Sequence, residues 1–399
     1  VRTSFGIIED FDLDNFKTSI SKLHEQLKKN KNRYISLVTV SKHGFTLDCP
    51  RTDEAAEFDK KDEEGNFISA VAKAKLEAAK HAKDKMIEIY LKEKGYDSNY
   101  TFTDEIDKLG QQKNSKNYIA VVHIDGNKMG EKFKECNNLA EIRKLSKKVK
   151  QAAQLSFKKL VELVIEKIEK NIISLENGFY LSNEAGKKAL PFIPVLIAGD
   201  EVTFVCDGRL GIWLAENYIK EFMKHEFKAC GGISIVKSKY PFYKAYLMAE
   251  GLLARSKRKS RDNNDDAYVD FFISERGFSG EIEDLLENYY RTPNGDLHFG
   301  PYKVEISGSS YDNSSLECLK KSIKNLTKMP RNKLMILKKA LFEEEEVQEI
   351  ILQKLLAKGY RLPDHYRDDY KVKLWANKKT PYFDAIEAID FYPEGLMDE

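Results

Sequence analysis

The chain has 399 residues, enough for two or three domains, and its 42% hydrophobic content with 22 Phe and 20 Tyr can fill a substantial core. Lys and Arg number 66 against 64 Asp and Glu, so no global field draws the protein to nucleic acid or anionic lipid, and any such binding needs a local patch. Cys49, Cys136, Cys206, Cys230 and Cys318 form no C-x-x-C pair, and no membrane-length apolar stretch or signal peptide is seen, which argues against a zinc ribbon, a disulfide framework and a membrane role and for a reducing, cytoplasmic location.

In chain order, Phe16, Ile20, Leu23 and Leu27 recur at helical spacing, and residues 34–40 read as a strand, an α/β beginning. Residues 52–66 are polar and acidic and read as a loop before a long helix over about 68–94, rich in Ala, Lys and Glu. Residues 118–124 are β-branched and aromatic, a strand that ends at Asp125. A helix over about 139–173 carries Ile142, Leu145, Val149, Ala153, Phe157 and Leu160 on one stripe. Strands at 193–197 and 202–206 flank a two-residue reversal at Asp200 and Glu201, with Gly199 permitting the turn. A helix at 210–225, a strand at 231–236, a helix at 241–259 and a strand at 268–273 follow, and from about 314 the chain is mostly helical.

From residue 118 the order is βαββαβ, a ferredoxin-like sheet, so the fold class is α+β. It divides into an α/β N-terminal region (1–110), a central domain (111–310) and a helical C-terminal region (311–399). If the strands lie side by side in one antiparallel sheet, Asp125, Asp200 and Glu201 converge at one rim. A hairpin turn alone is structural, but clustered acids repel one another unless a cation sits between them. The oxygen-rich set suits Mg²⁺, or Mn²⁺, and paired ions roughly 3.5–4 Å apart clamp the oxygens of an in-line phosphoryl displacement. His123 reads as a packed sheet residue, because Mg²⁺ prefers oxygen.

Four segments, IDGNKMG at 124–130, AGDE at 198–201, GGISIV at 231–236 and AEGLLARSK at 249–257, resemble the palm domain of the large polymerase-like subunit of type III CRISPR complexes, a relative of the GGDEF diguanylate cyclases. The similarity covers about 102–302, and TPYFDAIEAID at 380–390 is similar to the helical tail of stand-alone members. The resemblance implies that Asp125, Asp200, Glu201 and the Ile124 carbonyl bind metal, with the three acids catalytic. It also implies that Gly126, Asn127, Gly199, Lys257, Arg258 and Arg261 contact the nucleotide. Gly126 would be small to let a triphosphate touch its backbone, with a positive φ. The segment from Asn127 would open a short helix whose free N–H groups face phosphate. The chain departs from the family at Ala198, where a glycine is usual, and at Val202. It lacks the His-Asp doublet of the nuclease domain and the zinc-binding cysteines.

The function expected from this resemblance is a metal-dependent nucleotidyltransferase that makes cyclic oligonucleotide second messengers from nucleoside triphosphate, with ATP preferred, in antiviral defence. The alternative is an inactive palm scaffold that binds nucleotide or RNA. Only one complete set of acids, glycines and lysine is present, so the second nucleotide site is expected from a homodimer, with a degenerate palm in residues 1–110 as the competing source. RNA or protein partners of a defence system follow from the resemblance alone.

Overall fold

The computed structural model describes residues 12, 15–33, 46–52, 54–111, 117–274, 280–306, 312–366 and 368–397. The chain forms two compact units, Val1–Ser98 with Gly130–Lys144, and Asn99–Met129 with Leu145–Glu399. The first contains α1 (Phe16–Arg33) and α2 (Ala70–Tyr90). Ser69 caps α2 by accepting the Ala72 N–H at 3.1 Å, and Cys49, Ile68 and Ala72 form a small core beside it. The strand expected at 34–40 lies outside the described residues. Among the described residues of this unit the only β pairing is in isolated bridges, such as Asp48 with Ala55.

The second unit opens with β1 (Tyr100–Thr101) and the long strand β2 (Tyr118–Gly126). In chain order there follow the seven-residue α3 (Met129–Glu135), which beyond Met129 belongs to the first unit, and α4 (Leu139–Glu169), which from Leu145 onward belongs to the second. Strands β3 (Asn183–Glu184) and β4 (Lys187–Ala189) pair with each other, and β4 also pairs with β1. The hairpin β5 (Phe192–Ala198) and β6 (Glu201–Asp207) leads to α5 (Gly211–Lys224), β7 (Ala229–Lys237), α6 (Phe242–Asp262) and β8 (Tyr268–Ile273). Next come α7 (Ile282–Tyr289), the small hairpin β9 (Arg291–Thr292) and β10 (Gly295–Asp296), and β11 (Tyr302–Lys303). The chain closes with α8 (Leu316–Leu326), α9 (Arg331–Ala340), α10 (Glu345–Leu356) and α11 (Tyr382–Ala388).

One six-stranded sheet, ordered β11-β8-β7-β2-β6-β5, organises this unit. The βαββαβ run is β2-α4-β5-β6-α5-β7, and its strands pair antiparallel. The sheet as a whole is mixed and not purely antiparallel as expected: β8 joins β7 in parallel, because α6 is a crossover helix that brings the chain back to start β8 at the same end as β7. Helices α4 and α5 cover the face carrying Ala120 and Val122. A Cβ on Gly211 would lie 2.5 Å from that of Ala120, and Phe157 of α4 meets Phe204, the register partner of Val122. Helix α6 covers the opposite face. It packs so closely that a Cβ on Gly232 would lie 2.0 Å from the Ala249 carbonyl oxygen, which is why the second glycine of GGISIV has no side chain.

The C-terminal helices belong to the same compact unit as this sheet. Buried charges tie them in. Lys320 of α8 pairs with Glu216 of α5 at 2.9 Å, and the Tyr392 hydroxyl donates to Glu216 at 2.6 Å. His298 lies between Asp270 of β8, at 2.6 Å, and Asp384 of α11, at 3.1 Å. Buried ions persist only when partnered in this way.

Candidate functional site

The site forms where β2 ends beside the β5–β6 hairpin. Ile124 faces Val202 across the β2–β6 ladder, and Ala198 faces Glu201 across the hairpin. The two-residue turn is therefore Gly199–Asp200, one position earlier than expected, and Glu201 is already the first residue of β6. Gly199 has φ +66° while Asp200 is not in the positive-φ region, the pattern of a type II′ turn with glycine first. Ala198 is a strand residue with ordinary backbone, so its methyl costs the turn nothing.

This turn places Asp200 against Gly126. A Cβ on Gly126 would lie 2.8 Å from the Asp200 Cβ and 2.9 Å from its Oδ2. Gly126 does not have the positive φ expected of it, and the Asp200 side chain occupies the space a Cβ there would need. Asp125, one residue earlier, is the other member of the pair. Burial, and then the charge of Asp125, push the Asp200 carboxyl up to about 6.

Helix α6 supplies the cation. Besides the Gly232 contact, Ser256 Oγ donates to the Gly231 carbonyl at 2.9 Å. With the helix seated, Lys257 Nζ pairs with Asp125 Oδ2 and donates to the Gly126 carbonyl at 3.2 Å. Asn127 fastens the last turns of the same helix, with Nδ2 donating to Ser260 Oγ at 3.0 Å and its backbone N–H to the Lys228 carbonyl at 2.8 Å. Asn127 is thus buried, with Nδ2 committed to the end of α6 and its Oδ1 buried without a hydrogen-bond partner. Sequence reasoning missed Ser256 and Ser260, two small polar residues at i, i+4 on the helix stripe that meets the sheet; that spacing beside Lys257 was the available signal.

The remaining candidates stand apart. Glu201 Oε1 is 4.0 Å from His123 Nε2, and its side chain is 40% exposed. His123 is buried and hydrogen-bonded to Thr203 at 2.9 Å, and burial holds its imidazole below the usual range against the pull of Glu201. Among the described residues no three His, Cys, Asp or Glu side chains gather to hold a metal; Asp125 and Asp200 interact directly, and Glu201 lies beside His123. The reason is register: Glu201 follows the turn into β6, whereas Asp200 stays in the turn facing Gly126. Ile124 is paired on both sides, which leaves its carbonyl at most one lone pair to offer. Arg258 is turned to Glu283 at 3.6 Å and Arg261 is exposed, so neither is directed at the acids by a contact of the kind Lys257 makes. Helix α3 is too short to focus a strong dipole on phosphate.

Two carboxylates and a lysine at the rim of a βαββαβ sheet, with a helix packed directly on Gly232 of its fourth strand, fit a palm domain. Residues 118–265 match the family model of the Cas10/Cmr2 second palm domain, and the chain carries a palm of the Cas10 kind. No curated protein matches the sequence. Among solved structures, Csm1 of T. onnurineus aligns at 12% identity and a TM-score of 0.40, over 98% of this chain and 53% of that one. A Csm1–Csm4 cassette in complex with one ATP aligns at 13% identity and 0.38, over 72% and 38% of the two chains. The same cassette with cA3 aligns at 13% and 0.36, over 73% and 37%. The chain thus spans about half the length of the first of these structures and less of the others.

Proposed function

We propose that the palm is a nucleotidyltransferase that joins nucleoside triphosphates, ATP by preference, into cyclic oligonucleotide messengers for a CRISPR-type antiviral defence. The observation that carries this reading is the juxtaposition of Asp125, Asp200 and Lys257, two mutually repelling acids and an ammonium at the sheet rim. Oxygen donors of this number suit Mg²⁺ or Mn²⁺, which proteins hold through one or two carboxylates completed by substrate phosphates. Asp125 and Asp200 would hold the ion, with the Ile124 carbonyl beside them. When bound, such an ion neutralises phosphate charge and makes a hydroxyl more acidic. Lys257 takes up negative charge on the polyphosphate, Gly126 keeps the Asp200 carboxylate in place, and Glu201 stands as a second-rank acid near His123. In the reaction a 3′-oxygen bonds to the α-phosphorus, the bond to pyrophosphate breaks, and the hydroxyl proton passes to solvent.

One rim holds one donor nucleotide, so a second copy of the chain would present the acceptor, in a dimer burying on the order of 1,200 Å² or more. RNA and protein partners of a defence complex and a cytoplasmic location complete the reading. Among the described residues no helix is long and apolar enough to cross a membrane. The test is incubation with each nucleoside triphosphate and Mg²⁺ or Mn²⁺, followed by mass analysis of products. Asp200→Ala should reduce product by more than about 100-fold, beyond the loss typical of outer-shell partners, with unchanged circular dichroism. Absence of turnover in the unaltered chain together with nucleotide binding would favour the scaffold.

A further inference from the structure

We propose that Lys257 gates the cation site: its ammonium holds Asp125 until a polyphosphate draws it away, so the rim takes a divalent cation more tightly as a cation–triphosphate complex than as the free ion. This rests on reading the rim as a cation and nucleotide site, and it adds the form in which the substrate arrives. The lysine's contacts are both at the end of β2, the Asp125 carboxylate and the Gly126 carbonyl. The helix beneath it is immobilised by the Gly232 contact, by Ser256 on Gly231 and by Asn127 on Ser260. Beyond those contacts the lysine reaches the rim on a flexible four-carbon stem.

The donor count gives the ammonium its leverage. Asp125 and Asp200 are the two carboxylates of the rim, Glu201 lies off toward His123, and among the described residues no third His, Cys, Asp or Glu completes a metal cluster. The ammonium cancels one of the two negative charges. A free dication must therefore either share Asp125 with another cation, at a repulsive cost, or displace it into solvent. A triphosphate removes both obstacles, because it brings oxygen ligands to the ion and an anionic partner to the lysine. Asn127, Ser256 and Ser260 are positioning residues in this scheme, since they act through the placement of Lys257.

Mn²⁺ binding to the full chain, read by electron paramagnetic resonance without nucleotide, tests the gate. Lys257→Met should bind Mn²⁺ about tenfold more tightly than the wild type, a gain of about 1.4 kcal/mol. That gain should vanish when Asp125→Asn is added. Lys257→Arg keeps the charge and should stay near the wild type. Equal Mn²⁺ affinity in wild type and Lys257→Met, or an equal gain in Lys257→Arg, overturns the proposal. With a non-hydrolysable ATP analogue present, wild-type affinity for Mn²⁺ should rise toward that of Lys257→Met. An analogue that binds but leaves wild-type Mn²⁺ affinity unchanged overturns the gate alone. Failure of the analogue to bind at all sinks the nucleotide reading, and with it the polyphosphate half of the proposal.

Discussion

Two places in the palm unit hold the same ingredients, two carboxylates and a cation. At the rim they are Asp125, Asp200 and Lys257; behind β8 they are Asp270, Asp384 and His298. In the second group the side chains of His298, Asp270 and Asp384 are 5%, 0% and 2% exposed, and every charge is answered. Arg255 reaches Asp270 at 2.8 Å, the Tyr302 hydroxyl donates to Asp384 at 2.7 Å, and the Phe299 N–H donates to it at 2.8 Å. Burial alone would raise Asp270, but His298 and Arg255 outweigh it and hold the carboxyl below its ordinary value. Burial likewise opposes the charge on His298, and Asp384 and Asp270 push it up to about 10. At the rim the balance has the opposite sign. Lys257 is 25% and Asp125 31% exposed, the lysine serves Asp125, and Asp200 is left with its carboxyl up near 6. Completed networks hold a fold together, whereas a frustrated one retains free energy that a ligand can release.

The contrast breaks most visibly by removing the cation from the buried group. His298→Ala leaves Asp270 and Asp384 buried without their shared partner and should cost about 3–5 kcal/mol in denaturant unfolding. A loss below about 1 kcal/mol would mean that the buried network is not structural.

At the rim the sensitive element is space rather than charge. Gly126→Ala forces a Cβ within 2.8 Å of the Asp200 Cβ, an overpacking that should cost about 1–3 kcal/mol. Nucleotide turnover should fall more steeply than stability, because the displaced group is Asp200. Unchanged turnover in a folded Gly126→Ala protein would detach Asp200 from the reaction.

Asp200→Asn sharpens the comparison through pH. The folded-state pKa of Asp200, about 6, lies above its ordinary value of 3.8, so the folded protein favours the protonated form. The stability it contributes is fully present below about pH 4 and lost as pH rises through 6. The asparagine variant should therefore unfold at a higher temperature than the wild type at pH 7, with the difference shrinking as pH falls toward 4. A pH-independent difference would remove the evidence for frustration.

The smallest effect is expected at Arg258, whose pairing with Glu283 is exposed and 3.6 Å long. Arg258→Ala should change stability by about 0–1 kcal/mol and leave affinity for a non-hydrolysable triphosphate nearly unaltered. A tenfold loss of affinity would return this residue to the site.

Much of the palm was legible before folding. The strand read at 118–124 is β2 over Tyr118–Gly126, that at 268–273 is β8 over Tyr268–Ile273, and the helix read at 241–259 is α6 over Phe242–Asp262. The helix read over 139–173 ends four residues sooner, at Glu169, where Lys170 and Asn171 leave the apolar stripe. Residues 291–304, which hold His298 and β11, carried no periodic signal, and the buried network there went unread. Two-residue strands are too short to show alternation.

By itself the sequence determined the alternation of strands and helices and the placement of acids at strand ends, because apolar periodicity and turn chemistry act over a few residues. It determined Gly199 as a turn residue, since only a residue free of a Cβ takes φ +66° at no cost. Tertiary structure decided which groups share the rim. Asp125 and Lys257 are 132 positions apart, and they meet because Gly232 lets α6 lie directly on the sheet. Glu201 meets His123 because β6 pairs with β2 in the register that sets Val202 opposite Ile124, a pairing between distant strands that the turn residues alone do not specify.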